Sequence, residues 1–172
     1  MPTELKGANA LRKALKQFSP DLDKEVRGEM VGFLKPLIKK ARGYMPANSA
    51  MPSNWVRDSS WEAKFPDYDA GLARRGVGYK LTPTKPNRQG WSQSVSIHNK
   101  TAGGAIYETS GRKSGIVGRF SPRLPGPLVG TGKMQGRAIY RAYKEDQGKA
   151  KAGVIKALEK AAAKFNAGGN LG

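Results

Sequence analysis

Eight apolar residues recur on one helical face between positions 22 and 41, and no other stretch constrains the chain so strongly. They are Leu22, Val26, Met30, Phe33, Leu34, Leu37, Ile38 and Ala41. Ser19-Pro20 supplies an N-cap followed by proline at the first helical position, where its missing N–H costs nothing. Asp21, Asp23 and Glu25 sit where the helix dipole favours negative charge, Lys39, Lys40 and Arg42 where it favours positive, and Gly43 closes the pattern. Pro36 lies inside the stripe, which continues in phase beyond it; the expectation is a kink near Gly32, not an end. A helix this apolar on one face needs a cover.

Other segments offer that cover. Leu5, Ala8, Leu11, Leu15 and Phe18 predict a short amphipathic helix, with Lys6, Arg12, Lys13 and Lys16 on its other sides. Residues 45–70 lose periodicity and read as an extended loop, yet they hold Trp55, Trp61, Phe65 and Tyr68. Such aromatics either pack back onto their own domain or dock on a neighbouring subunit. Val77, Tyr79 and Leu81 alternate, as do Trp91, Gln93, Val95 and Ile97, which predicts an antiparallel pair joined by an extended basic arm. Residues 105–108 fit a strand or a helical turn. Residues 111–133 form a second long loop, with Phe120 and Leu124 among its apolar anchors. Helical spacing returns in Met134, Ala138, Ile139, Ala142 and Tyr143, and again in Val154, Ile155, Leu158, Ala161, Ala162 and Phe165, before a tail at 166–172 expected to fray. At 172 residues, one domain covering 1–172 is expected.

Charge narrows the function. The formal net charge is +18, and Glu108 is the only acid between Ala70 and Lys144. The same stretch includes Arg74, Arg75, Lys80, Lys85, Arg88, Arg112, Lys113, Arg119 and Arg123. So one-sided a region repels itself unless a polyanion or acidic neighbour lies beside it; the plain alternative is a solvated basic surface.

Conventional chemistry finds little support. The absence of cysteine removes disulfides and thiolate sites, and one histidine, His98, excludes the common zinc sets. Residues 126–134 imitate a phosphate loop but place Pro127 and Met134 where glycine and a hydroxyl belong. Asp58, Glu62, Asp67 and Asp69 lack calcium-loop spacing and are expected to pair with nearby arginine and lysine. His98 has no nucleophile pattern beside it. No catalytic residue, metal or cofactor is expected, and no apolar run is long enough to cross a bilayer. The start lacks a signal-peptide pattern, so the expected setting is a cytoplasm or a particle assembled in one. No zinc finger, RNP-type motif or helix-turn-helix with a basic recognition helix is visible, which leaves non-specific contact with nucleic acid as the alternative function.

Four segments in order resemble the tail-component family of siphophages, the tail-completion, head-tail neck and minor tail proteins. Phe33-Leu34-Lys35-Pro36-Leu37-Ile38-Lys39-Lys40-Ala41-Arg42 with Pro46 is similar to that family's long helix with its internal proline. Gly71-Leu72-Ala73-Arg74 resembles its step into the sheet, and Ala105-Ile106-Tyr107-Glu108-Thr109-Ser110-Gly111 its alanine, tyrosine, glutamate and glycine turn. Gly136-Arg137-Ala138-Ile139-Tyr140-Arg141-Ala142 stands where the family enters its last helix. The aromatic segment before Gly71 and the 111–133 loop depart from the pattern. The resemblance implies an α+β fold, with a long kinked N-terminal helix and a C-terminal helix packed on a small antiparallel sheet. It further implies a virion structural protein of the phage neck or tail, a tail terminator, stopper-adjacent or tail-completion factor. Such a protein forms a homo-oligomeric ring, expected to be a hexamer, around the DNA channel between connector or stopper and tail-tube proteins. Trp55, Trp61, Phe65, Tyr68, Phe120 and Leu124 are then the expected subunit or partner contacts. Arg74, Arg75, Lys80, Lys85, Arg88, Arg112, Lys113, Arg119 and Arg123 are expected to face the DNA channel or an acidic partner.

Overall fold

The protein is described from a computed structural model, which covers residues 7–52, 55, 66–90, 92–112, 123–132 and 134–169. The fold is α+β, with six helices and two small two-stranded antiparallel sheets among the described residues. The chain divides into two compact units. The first comprises Met1–Pro36, Lys80–Ser96 and Gly148–Gly172, the second Leu37–Tyr79 and Ile97–Gln147.

The first unit contains α1 (Ala8–Phe18), the first part of α2 (Pro20–Gly43) and α6 (Lys149–Gly169). Its core joins Ala8, Leu15, Val26, Met30, Ala157, Leu158 and Ala161, with Leu11, Leu22, Leu81, Val95, Val154 and Phe165 packed around them. Leu15 and Met30 are fully buried, worth roughly 2 kcal/mol each in apolar surface removed from water. Outside that core Lys160 reaches Glu25 and Glu29 while Lys164 reaches Glu25. These pairs lie at the surface, where solvent screening leaves them little weight in stability. Three expectations change here. Arg12 is buried instead of solvated, and Phe18 is 70% exposed because α1 ends on it. Helix α6 begins at Lys149 and runs to Gly169, so residues 166–169 are helical where fraying is expected.

The second unit holds the rest of α2, a 3-10 turn (Asn48–Ala50), α3 (Ala70–Gly76), β1 (Val77–Lys80), β2 (Ser96–Asn99), α4 (Ala102–Thr109), β3 (Val129–Thr131), β4 (Met134–Gly136) and α5 (Ile139–Glu145). Strands β3 and β4 are antiparallel, in the register Val129↔Gly136, Gly130↔Gln135 and Thr131↔Met134. Helix α5 packs on this hairpin. Its core centres on Tyr68, Tyr107, Met45 and Val77, with Leu37, Ile38, Ala41, Ala73, Ala138 and Ala142 also buried. Of the strand expected over 91–97, residues 96–97 lie in β2 and 92–95 do not, while Trp91 lies outside the described residues. Residues 105–108 belong to a helix, and Met134, expected in a helix, lies in a strand. α2 runs through Pro36 as one helix.

Candidate functional site

Polar groups lock the second unit together, and that locking decides which charges reach its surface. Glu108 stands near the end of α4 and is buried. Its carboxylate accepts hydrogen bonds from the backbone N–H groups of Ala138 (2.7 Å), Ile139 (3.1 Å) and Tyr140 (3.0 Å). These are donors that the start of α5 cannot satisfy within the helix, and the anion also suits the positive end of the dipole. Arg137, equally buried, donates in return to the carbonyls of Tyr107 (3.2 Å) and Ser110 at the close of α4. Its guanidinium lies 5.9 Å from the Tyr107 ring centre. Each helix end is thus capped by a charged residue belonging to the other. Gly136 makes the approach possible, since a Cβ there would collide with the Glu108 carboxylate.

A second joint links α3 to α4 through Asn99. Its amide donates to the carbonyl of Ala73 (2.9 Å), while its oxygen accepts from the N–H (2.9 Å) and hydroxyl (2.7 Å) of Thr101. Thr101 in turn caps α4 by accepting from Gly104 N–H. A Cβ on Gly76 or Gly104 would strike the Asn99 side chain, and one on Gly103 would stand 2.6 Å from the Asp67 carbonyl. Glycines that discourage a helix by propensity are here the condition for close packing.

The aromatic candidates separate by burial. Trp55, Tyr68 and Leu124 are all buried within the chain. The rings of Trp55 and Tyr68 meet at a tilt with centres 5.2 Å apart, and Tyr68 lies 6.2 Å from Tyr107. Each polar tip meets a backbone carbonyl: Trp55 that of Pro66, Tyr68 that of Pro46, Tyr107 that of Pro125, all at 2.9 Å. Burial pushes both tyrosine hydroxyls above their ordinary pKa. Trp55, Tyr68 and Leu124, expected as contacts for a neighbouring subunit, are here covered by their own chain. Trp61, Phe65 and Phe120 lie outside the described residues.

The basic candidates stay outside. Arg74, Arg75, Lys80, Lys85, Arg88 and Arg123 are exposed, and Arg112 is half-buried. Arg74 donates to the Met45 carbonyl (3.2 Å), and Arg112 donates to the Gln135 carbonyl with its guanidinium 5.2 Å from the Tyr140 ring centre. Arg75, Lys80, Lys85, Arg88 and Arg123 have no ion pair among the described residues. Lys113 and Arg119 lie outside the described residues. Because the only acid of the 70–144 stretch is buried and spent on helix α5, none of that stretch's surface charge is negative. Sequence reading finds the excess; it misses the burial of Glu108, for which the signal is the pairing of a lone acid with a Gly-Arg step.

Asp69 accepts from Leu72 N–H at 2.6 Å, the N-cap of α3. Asp58 and Glu62 lie outside the described residues, and no cluster of His, Asp or Glu able to hold a metal occurs among those described. His98 lies half-buried in β2. No helix among the described residues is long and apolar enough to cross a membrane. No protein-family model matches the chain, and no curated protein or solved structure matches it.

Proposed function

We propose that this chain is a structural protein of the head-to-tail junction of a long-tailed bacteriophage, working by assembly into a ring and not by chemistry. One observation carries the reading. The segments that resemble siphophage tail components are the ones that frame the second unit. Arg42 donates twice to the Val77 carbonyl, Ala73 receives Asn99, Glu108 caps α5, and Gly136-Arg137 returns the cap to α4. A shared frame built from those positions is what a family likeness at the level of fold would preserve. Arg75, Lys80, Lys85, Arg88 and Arg123, exposed and without an ion pair among the described residues, fit a protein set beside DNA or an acidic neighbouring ring.

In this reading identical copies meet through two different faces, the heterologous contact that closes a cycle, and the ring sits between a connector or stopper and the tail tube. Negative-stain microscopy of the purified chain, alone and with connector and tail-tube proteins, tests it. Rings with a central opening are expected; persistent monomers with every partner overturn it. A second reading, a non-specific nucleic-acid-binding protein, is favoured by the +18 charge.

A further inference from the structure

We infer that residues 84–90 form a pre-set arm that grips the phosphodiester backbone of nucleic acid. The segment is a closed loop. Thr84 N–H donates to the Gln93 carbonyl, and Gln93 N–H donates to the Thr84 hydroxyl oxygen, both at 2.9 Å. The tip turns on Asn87, whose carbonyl accepts from Gly90 N–H and whose side-chain oxygen accepts from Gln89 N–H, again at 2.9 Å. Gly90 holds a φ of +80°, a left-handed conformation glycine adopts at no steric cost.

The base of the loop is fastened to the helical core of the first unit. Leu81 and Val95 pack against that core. Asn9 of α1 donates to the Ser92 hydroxyl and accepts from the Ser94 hydroxyl, and Arg12 donates to the Ser94 carbonyl at 3.0 Å. Burying an arginine is costly, and burial lowers the Arg12 pKa. Its hydrogen bond to Ser94 holds this segment in place. A binding loop fastened in advance loses less conformational freedom on association.

The tip has the composition of a phosphate contact. Lys85, Pro86, Asn87, Arg88, Gln89 and Gly90 are all exposed. Two cations and an amide stand at it, with no acid and no large apolar side chain among residues 84–90; Trp91, the next residue, lies outside the described residues. Protein interfaces draw their strength from buried aromatic and aliphatic anchors, whereas backbone contacts to nucleic acid use Arg, Lys and amide donors. That difference selects nucleic acid over an acidic protein. The inference deepens the proposed function and rests on it for a setting in which DNA passes the protein. Ring formation and DNA binding are read separately, so either fails without the other.

The test is fluorescence anisotropy of the full chain with a random-sequence DNA duplex across a salt series. Lys85→Ser/Arg88→Ser is compared with Lys149→Ser/Lys156→Ser, which removes two exposed charges from α6. The arm variant is expected to lose roughly tenfold in affinity at moderate salt, with the slope of log affinity against log salt shallower by about 2, while the helix variant changes far less. Lys85→Arg/Arg88→Lys, which keeps the charge, should bind as the parent does. Equal losses in the two serine variants would make the binding a property of diffuse charge and overturn the arm. No binding at low salt overturns it as well. Polyglutamate that competes as effectively as DNA at matched charge would assign the arm to an acidic protein instead.

Discussion

Glu108 caps α5 with three bonds, so its replacement strands three donors at once. Glu108→Ala should destabilise the chain by about 2–4 kcal/mol, the cost of unsatisfied buried groups added to a lost cap. Glu108→Gln keeps an acceptor and should cost distinctly less. Urea unfolding of the three proteins measures both, and equal losses would mean that the carboxylate's place in the cap is unimportant. Glu145 provides a pH signature. Hydrogen bonds from Lys40 and Tyr44 and from Arg141 pull its pKa down to about 2. A folded-state value below the ordinary one means that its contribution is complete above about pH 5 and disappears as pH falls towards 2. The stability difference between the parent and Glu145→Gln should therefore shrink over that interval, as urea midpoints measured at several pH values would show. A difference independent of pH would count against the network.

Helix α2 was legible because twenty residues repeat one signal, and its caps agree with it. α4 was not. Gly103 and Gly104 disfavour a helix by propensity, yet they let the helix approach Asp67 and Asn99, a tertiary demand that outweighs roughly 1 kcal/mol per glycine. The β3–β4 hairpin was hidden by its brevity: three residues per strand show no alternation, and Met134 fits the helical spacing of Ala138 and Ala142 as well. The basic half of the candidate site could be read directly, since charge needs no fold to be counted. Its aromatic half could not, because nothing in the sequence says whether Trp55 or Tyr68 turns inward. Gly153 on α6 offers a test at this scale. A Cβ there would run into the Phe33 ring of α2. Gly153→Ala should lower stability in the parent but raise it by up to about 1 kcal/mol in a Phe33→Ala background, where propensity acts alone. Thermal melts of the four proteins give the coupling; simple additivity would remove the contact from the account.

At the scale of the molecule, most of the described cations lie at the surface, while Glu108, Trp55, Tyr68 and Tyr107 are turned in. Such a chain is stable as a fold and unbalanced as a surface, and a partner of opposite sign relieves that imbalance. Salt should therefore raise the thermal midpoint of the isolated protein by screening self-repulsion, an effect read by calorimetry between low and moderate ionic strength. A midpoint that falls with salt would place the weight on the exposed ion pairs of α2 and α6 instead.

In a ring, copies of this chain must close on themselves. Sedimentation velocity across a wide concentration range, with the connector protein at stoichiometric amount, measures it most directly. A closed ring predicts one discrete heavy species whose mass stops growing once formed. A single monomer boundary at every concentration, or an open series of ever larger species, would contradict it.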